Sequence, residues 1–180
     1  MNRLAPRNTV VLGLGNLIRS DDGIGLYALR QLEQDARLPS DVSLVEGGTK
    51  GLELVPYICD ACRLLVLDAV NVGITPGKVI RMAGEDLRSM PGKGSVHDLA
   101  LADLLNALRI LGQEPEEVLL LGVQPQNTEL GTELSAPAQK ALPTLVEAAL
   151  NQLSQWSRSD EHSTRTRQGT VEQDLEITVP

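Results

Sequence analysis

Three side chains of this sequence can bind a metal ion. Two of them follow or end apolar segments, and the third opens a helical segment. Asp22 lies in the loop after an apolar run at residues 9–14, and Asp68 ends a second apolar run at residues 64–68. His97 lies at the start of a segment with helical periodicity. Two carboxylates and one imidazole suit zinc, nickel, manganese or iron, and three protein ligands leave coordination positions open. These residue types therefore favour a metal-dependent site.

Each of the three residues also has an ordinary structural interpretation. The acidic pair Asp21 and Asp22 would be stabilised by the dipole at a helix N-terminus, and Asp68 suits a turn. A lone histidine near a helix start is usually structural, but the helix dipole disfavours the protonated ring there. We therefore expect His97 to be neutral at pH 7, which is the form that binds metals.

The loop after the first apolar run contains Gly13 and Gly15, which favours a dinucleotide-binding protein of the Rossmann type as an alternative. Glu46, at the end of the second predicted strand, would then bind the ribose. However, Ile18 replaces the third glycine of that fingerprint, and the aspartates that follow would repel a phosphate at the helix N-terminus. The dinucleotide alternative is therefore the weaker one.

The two cysteines, Cys59 and Cys62, form a single C-x-x-C motif. One such pair cannot build a four-thiolate zinc site within one chain, and two cysteines cannot form a disulfide scaffold. The pair follows a short predicted helix instead of starting one, which argues against a thioredoxin-like dithiol. We expect two partly buried thiols in a reducing cytoplasm. No serine stands in a G-x-S-x-G elbow.

Composition disfavours several classes of protein. The chain has 180 residues, of which 42% are hydrophobic, and its formal net charge is −8. That charge disfavours nucleic-acid binding, and no apolar run reaches the roughly 18 residues of a membrane helix. The N-terminal residues lack a small-residue cleavage site, so we expect no secretory signal. These features predict one globular domain that binds neither nucleic acid nor membrane.

Alternating strands and helices indicate an α/β fold with three layers, a mainly parallel, twisted sheet flanked by helices on both faces. We expect the catalytic domain to span residues 1–156 and the polar residues 157–180 to form a disordered tail. In such sheets the functional residues collect beyond the carboxyl ends of the strands. The predicted strands cover residues 9–14, 42–46, 64–68, 78–82 and 118–123. The predicted helices cover residues 24–36 and 52–58, a segment that Ser95 opens, and residues 136–156. Pro143 predicts a kink or a split in the last helix.

Five short segments match, in order and spacing, the motifs of a known family. The longest is G-L-G-N-L-I-R-S-D-D-G-I-G at residues 13–25, and G-G-T follows at residues 47–49. The others are L-D-A at residues 67–69, H-D-L-A-L-A-D-L-L at residues 97–105 and L-G-V-Q-P at residues 121–125. Together they resemble the hydrogenase maturation proteases, the endopeptidases that trim the large subunit of nickel–iron hydrogenases.

The resemblance covers about residues 9–156 and implies an endopeptidase that removes the C-terminal extension of the large-subunit precursor. Nickel already placed in that precursor is the recognition motif, so the enzyme carries no permanent metal of its own, and zinc or cadmium can substitute in the site. Asp22, Asp68 and His97 match the metal-contacting residues of the family and are the catalytic candidates. We expect a cytoplasmic monomer whose partner is the large-subunit precursor.

Two mechanisms are compatible with these residues. In the first, nickel shared by the substrate and the three side chains polarises a carbonyl or activates water. In the second, nickel only docks the substrate, and a carboxylate such as Asp22 or Asp21 acts as the general base. A non-enzymatic alternative is a metal-sensing chaperone that binds the large subunit without cutting it.

Overall fold

A computed structural model of the protein describes residues 8–84, 87 and 96–171, and the side chains of residues 8–84, 87 and 101–159. Within these residues, strands and helices alternate along the chain. The strands are β1 (Thr9–Leu14), β2 (Val42–Gly48), β3 (Arg63–Ala69), β4 (Val79–Ala83) and β5 (Glu117–Val123). The helices are α1 (Ile24–Glu33), α2 (Val55–Ile58), α3 (Val96–Ile110) and α4 (Ala136–Val171), with short 3-10 turns at Ser20–Gly23 and Gly51–Leu54.

The five strands form one sheet in the order β2-β1-β3-β5-β4. Strand β1 is parallel to β2 and β3, and β3 is parallel to β5. Of these strands only β4 is antiparallel, and it pairs with β5 at the edge of the sheet. The predicted mainly parallel sheet is therefore confirmed. We call the side where β1, β2, β3 and β5 end the carboxyl edge, and the opposite side the amino edge.

Helices cover both faces of the sheet, which confirms the predicted three layers. Strands β1 and β3 are buried along their whole length and pack against both layers, because alternate side chains of a strand point to opposite faces. One core packs α1 and α4 against the sheet and includes Leu32 and Leu145. The other core packs α2 and α3 against the opposite face and includes Leu54 and Leu104. In the part of the chain that the structure describes, no helix is long and apolar enough to cross a membrane.

Helix α1 is shorter than the sequence predicted, because it ends at Glu33 instead of Ala36. The Asp35 carboxylate accepts hydrogen bonds from the backbone N–H of Arg37 at 2.9 Å and from its Nε at 3.0 Å. These bonds form a turn that competes with further helix. The hydrogen-bonded guanidinium of Arg37 also lowers the pKa of the Asp35 carboxyl.

The last helix is longer than predicted. Helix α4 continues to Val171, so the expected helix end at Trp156 is wrong, and the structure is helical at residues 157–171, where a disordered tail was predicted. Residues 172–180 lie outside the described residues, and the domain boundary after Trp156 stays a prediction. Of the predicted kink or split at Pro143, the split is excluded, because α4 is one continuous helix. Its apolar face is buried on both sides of the proline, which offsets the lost backbone hydrogen bond.

The buried guanidinium of Arg63 holds the turn of α4 just beyond Trp156, and its partner Glu117 has a side chain that is 47% exposed. Arg63 is 3% exposed and donates to Glu117 Oε1 at 2.8 Å. The same guanidinium donates to the Trp156 carbonyl and to Ser159 Oγ, each at 3.1 Å. The indole Nε1 of Trp156 donates to Glu117 Oε2 at 2.9 Å. This cluster binds the turn beyond Trp156 to the first residues of β3 and β5 at the amino edge, so polar residues extend the helix.

Replacing Arg63 by methionine would keep an unbranched stem but remove the buried charge and its hydrogen bonds. We expect Arg63→Met to lower the free energy of unfolding by about 1–3 kcal/mol, because a buried charged donor is removed and Glu117 and the Trp156 carbonyl each lose one of their donors. The control is Arg30→Met, whose ion pair with Glu46 is exposed, and it should change that free energy by less than about 0.5 kcal/mol. Urea denaturation followed by circular dichroism measures both. Equal stability of the two variants would contradict a structural role for the cluster.

Candidate functional site

The loop between β1 and α1 places Asp22 at the carboxyl edge, and close backbone contacts fix its position. Asp22 lies in the 3-10 turn before α1 and is 4% exposed. Gly15 has a φ of +120°, and a Cβ there would lie 1.8 Å from the carbonyl oxygen of Asp22, so only glycine fits. A Cβ on Gly25 would lie 2.1 Å from the carbonyl oxygen of Leu67. Helix α1 therefore packs directly on the end of β3.

Asp68 follows Leu67 in β3 and is the second acid at this edge. Its side chain is 2% exposed, and Oδ1 accepts a hydrogen bond from the Ala69 N–H at 2.7 Å. Gly25, which contacts Leu67, lies three residues after Asp22. The structure therefore places the backbone of both predicted acids where α1 packs on β3. The Asp68 side chain points to the face that α2 and α3 cover, because its neighbours Leu67 and Ala69 pack on the α1 side.

The third predicted ligand, His97, is the second residue of α3. Its side chain lies outside the described side chains, and Ser95, which the sequence predicted to cap this helix, lies outside the described residues. Helix α3 begins at Val96, so His97 occupies the first turn, as expected. Among the described side chains, which omit His97, no group of three or more histidine, cysteine, aspartate or glutamate residues is arranged to hold a metal. The ligand roles of Asp22, Asp68 and His97 stay a prediction.

Asp21, the neighbour of Asp22, has a structural role. Its carboxylate is 1% exposed, and Oδ2 accepts hydrogen bonds from the N–H groups of Gln126 at 2.8 Å and Asn127 at 3.1 Å. Ser135 donates its N–H to Oδ1 and its Oγ–H to Oδ2, both at 2.7 Å. Four donors thus occupy this carboxylate, which ties the loop after β5 to the loop after β1. The structure therefore does not support Asp21 as the general base.

Further hydrogen bonds join the same two loops. The N–H of Ser20 donates to the Gly131 carbonyl at 2.8 Å, and the N–H of Gly131 donates to the Ile18 carbonyl at 3.0 Å. Ser20 has a φ of +50°, a left-handed conformation that costs free energy in a residue with a side chain. Its Oγ donates to the Glu129 carbonyl at 3.2 Å, so contacts with the neighbouring loop hold the strained residue in place.

Gln124, within the L-G-V-Q-P segment, organises the loop after β3. The side chain is buried, and its Oε1 accepts hydrogen bonds from the N–H groups of residues 72–74 at 2.9, 3.1 and 3.3 Å. Its Nε2 donates to Asn71 Oδ1 at 3.0 Å. Sequence reasoning gave this residue no role of its own, although it lies within the L-G-V-Q-P segment that resembles the family. The loop that follows Asp68 therefore has a defined conformation.

The residues that favoured a dinucleotide site have other partners in the structure. The N–H of Gly15 donates to the Gly48 carbonyl at 3.1 Å, and the space beside Gly15 is filled by the main chain of Asp22 instead of a ligand. Glu46 Oε1 accepts a hydrogen bond from Arg30 Nε at 3.0 Å. These glycines therefore serve the packing of their own loop, and Glu46, within β2, forms an ion pair with Arg30.

The C-x-x-C motif lies at the amino edge, away from Asp22 and Asp68. Cys59 follows α2, and Cys62 precedes β3, where its N–H donates to the Asn8 carbonyl at 2.9 Å. Both thiols are free and partly buried, as expected. The seven residues of β3 span roughly 20 Å, so neither thiol reaches a substrate bound at the carboxyl edge.

Fold and site together define an α/β protein with an acidic site beyond the carboxyl ends of its parallel strands, where such folds carry their chemistry. The sequence model of the hydrogenase maturation protease family matches residues 26–152, a range that includes Asp68 and His97 and begins just after Asp22. The chain belongs to this family. It is a peptide-bond hydrolase of hydrogenase maturation.

Individual relatives agree with the family match. The chain is 34% identical over 155 residues to the hydrogenase expression/formation protein HupD of Rhizobium leguminosarum bv. viciae, over 84% of this chain and 76% of the relative. It is 34% identical over 146 residues to the hydrogenase 2 maturation protease of Escherichia coli (strain K12), over 80% of this chain and 87% of the relative. The solved structure of the hydrogenase maturating endopeptidase HybD from E. coli superposes with a TM-score of 0.78 at 32% identity, over 82% of this chain and 93% of that chain. The predicted α/β fold is thus confirmed.

Asp21→Asn would test the structural role of the buried carboxylate. The substitution keeps the shape but removes the charge and turns an amide NH₂ group toward N–H donors. We expect the free energy of unfolding to fall by about 2–3 kcal/mol, because hydrogen bonds to a charged acceptor are lost. The exposed Asp41→Asn is the control and should change it by less than about 0.5 kcal/mol. Urea denaturation of both variants is the measurement. An unchanged free energy of unfolding in Asp21→Asn would contradict the structural role of Asp21.

Proposed function

We propose that this protein removes the C-terminal extension from the precursor of the large subunit of a nickel–iron hydrogenase, with nickel already bound in the precursor as the recognition motif. Membership of the hydrogenase maturation proteases supports a proteolytic step of this kind. The observation that carries the proposal is the presence of two buried acids, Asp22 and Asp68, at the junction of α1 and β3. Carboxylate oxygens together with an imidazole bind divalent metal ions, so nickel presented by a substrate would be held at this junction.

Asp22, Asp68 and His97 are the residues that we assign to nickel contact and to catalysis. Two oxygen donors and one nitrogen donor suit nickel, and three protein ligands leave positions for the ligands of the precursor itself. The position of His97 in the first turn of α3 supports a neutral ring, which is the form that ligates. The metal arrives with the substrate, so the enzyme needs no resident cofactor, and zinc or cadmium would bind the same donors.

Hydrolysis is assigned to the carboxylates, in the manner of an aspartic-type endopeptidase, instead of to a serine or cysteine nucleophile. Ser20 Oγ donates to a backbone carbonyl and Ser135 Oγ donates to a carboxylate, and the two cysteines lie at the amino edge. Asp22 then acts as the general base toward water, or it shares the nickel that polarises the scissile carbonyl. A cleavage rate that follows the Lewis acidity of the metal loaded into the precursor favours polarisation, whereas a rate that is insensitive to the metal favours the general base.

The compartment and the oligomeric state belong to the same proposal. We place the enzyme in the cytoplasm as a monomer that binds its precursor transiently. The two free thiols support a reducing compartment, where unpaired cysteines persist. Sedimentation velocity of the purified protein tests the monomer.

The decisive experiment incubates the protein with nickel-loaded and nickel-free precursor and follows the mass of the precursor by mass spectrometry. Wild type should shorten the loaded form only. Asp22→Asn, Asp68→Asn and His97→Ala should each lower the cleavage rate by about 100-fold or more, the usual effect of losing a general base or a metal contact. Asp41→Asn, an exposed acid outside the site, is the matched control and should retain full activity.

Three other outcomes would contradict the proposal. A precursor that binds the protein without any change in mass would indicate a chaperone. Digestion of casein without added metal would contradict recognition through nickel. Loss of circular dichroism in Asp22→Asn and Asp68→Asn would mean that these acids serve the fold and not the reaction.

A further inference from the structure

Three segments at the carboxyl edge contain no charged residue. Residues 13–18, 70–77 and 122–128 lack aspartate, glutamate, lysine and arginine, although 22% of the whole chain is charged. They lie where β1, β3 and β5 end, around the junction that holds Asp22 and Asp68. Depletion of charge is characteristic of the centre of protein interfaces. The exposed part of these segments, residues 18, 71–76, 126 and 127, therefore has the composition of an interface centre, with the exposed charges of Arg19 and Glu129 at its border.

Four large apolar side chains are exposed on or beside these segments. They are Ile18, Val72, Ile74 and Leu130, and we call them the apolar rim. Leu130 is 80% exposed, and the hydrogen bond from the N–H of Gly131 to the Ile18 carbonyl places it beside Ile18. Val72 and Ile74 lie on the loop after β3. Exposed apolar residues that lie near one another mark interaction sites, whereas single ones need no explanation.

Gln124 holds the loop that carries Val72 and Ile74. Its Oε1 accepts hydrogen bonds from the backbone N–H groups of both residues at 2.9 and 3.3 Å. Its own N–H donates to the Lys78 carbonyl at 2.9 Å, and its carbonyl accepts a hydrogen bond from the Gly77 N–H at 2.8 Å. Both ends of the loop are thus tied to one residue. An exposed apolar loop that is already ordered loses little conformational entropy when a partner binds.

We propose that the apolar rim is the surface that docks the folded substrate protein, through contact with an apolar, uncharged surface around the bond that is cut. This inference rests on the proposed function. Asp22 lies four residues after Ile18, and Asp68 lies four residues before Val72, so the loops that carry the rim are the loops that carry or adjoin the acids. Because the rim adjoins the proposed catalytic acids, we infer that the protein that binds the rim is the substrate.

The test compares variants at two edges of the sheet. Ile74→Asp and Leu130→Asp place a charge on two different loops of the rim. Ile110→Asp is the matched control, because Ile110 is 86% exposed and ends α3 at the amino edge. We expect the rim variants to raise both KM and the Kd for the nickel-loaded precursor roughly tenfold or more, with kcat within about twofold of wild type. Ile110→Asp should match wild type, and melting temperatures should be unchanged in all three.

Kinetics and calorimetric binding together separate this inference from the proposed function. A wild type that binds the precursor without cutting it would contradict the proposed function alone, since the rim variants would still bind more weakly. Unchanged Kd and KM in both rim variants would overturn docking at the rim, and so would equal weakening by Ile110→Asp. A wild-type dimer that Leu130→Asp dissociates would make the rim an interface between copies of this chain. Failure of wild type to bind the precursor at all would overturn both.

Discussion

The contact between α1 and the ends of two strands is the constraint on which the site depends. A Cβ on Gly25 would lie 2.1 Å from the Leu67 carbonyl oxygen and 2.5 Å from that of Leu14, so the helix lies against both strands with no side chain between them. Any other residue at this position would force α1 away from the sheet. Asp22 precedes α1 and Asp68 ends the apolar part of β3, so this backbone contact fixes the relative positions of the two chain segments that carry the acids. Catalytic groups held by packed elements keep the geometry that a reaction requires.

Two adjacent aspartates take different roles because their surroundings differ. Burying a charge is costly unless hydrogen bonds compensate, and Asp21 receives four, all from the segment between β5 and α4. Those bonds offset the cost and, at the same time, hold that segment against the loop that leads to Asp22. The acid that supports the site and the acid that we assign to it are therefore consecutive in the chain. The first orders the surface around the second.

The sequence predicts those elements that a local residue pattern determines. It does not predict features that depend on contacts between residues far apart in the chain. Strand β1 was predicted with its observed ends and β3 within one residue at each end, because buried parallel strands are continuous apolar runs. The role of Asp21 depends on donors more than 100 residues away, and that of Gln124 depends on N–H groups about 50 residues away. The residues next to Asp21 and Gln124 in the sequence therefore do not predict these hydrogen bonds. The turn of α4 just beyond Trp156 likewise depends on Arg63, which is 93 residues from Trp156. Motif resemblance located Asp22 and Asp68, but it could not distinguish Asp21 as a structural acid.

The depth of the two acids gives a physical reason for narrow specificity. Asp22 is 4% exposed and Asp68 is 2% exposed, so a flexible peptide that diffuses past the carboxyl edge contacts little of either carboxylate. A cation anchored in a folded partner would be held beside both carboxylates by the docked partner, and Coulomb attraction at such short distances grows as the effective dielectric constant falls. An apolar rim excludes that water once the partner has docked, which strengthens the attraction between the cation and the acids. The proposed apolar docking and the proposed metal recognition would then reinforce each other, and we expect a protein that offers only one of them to bind weakly.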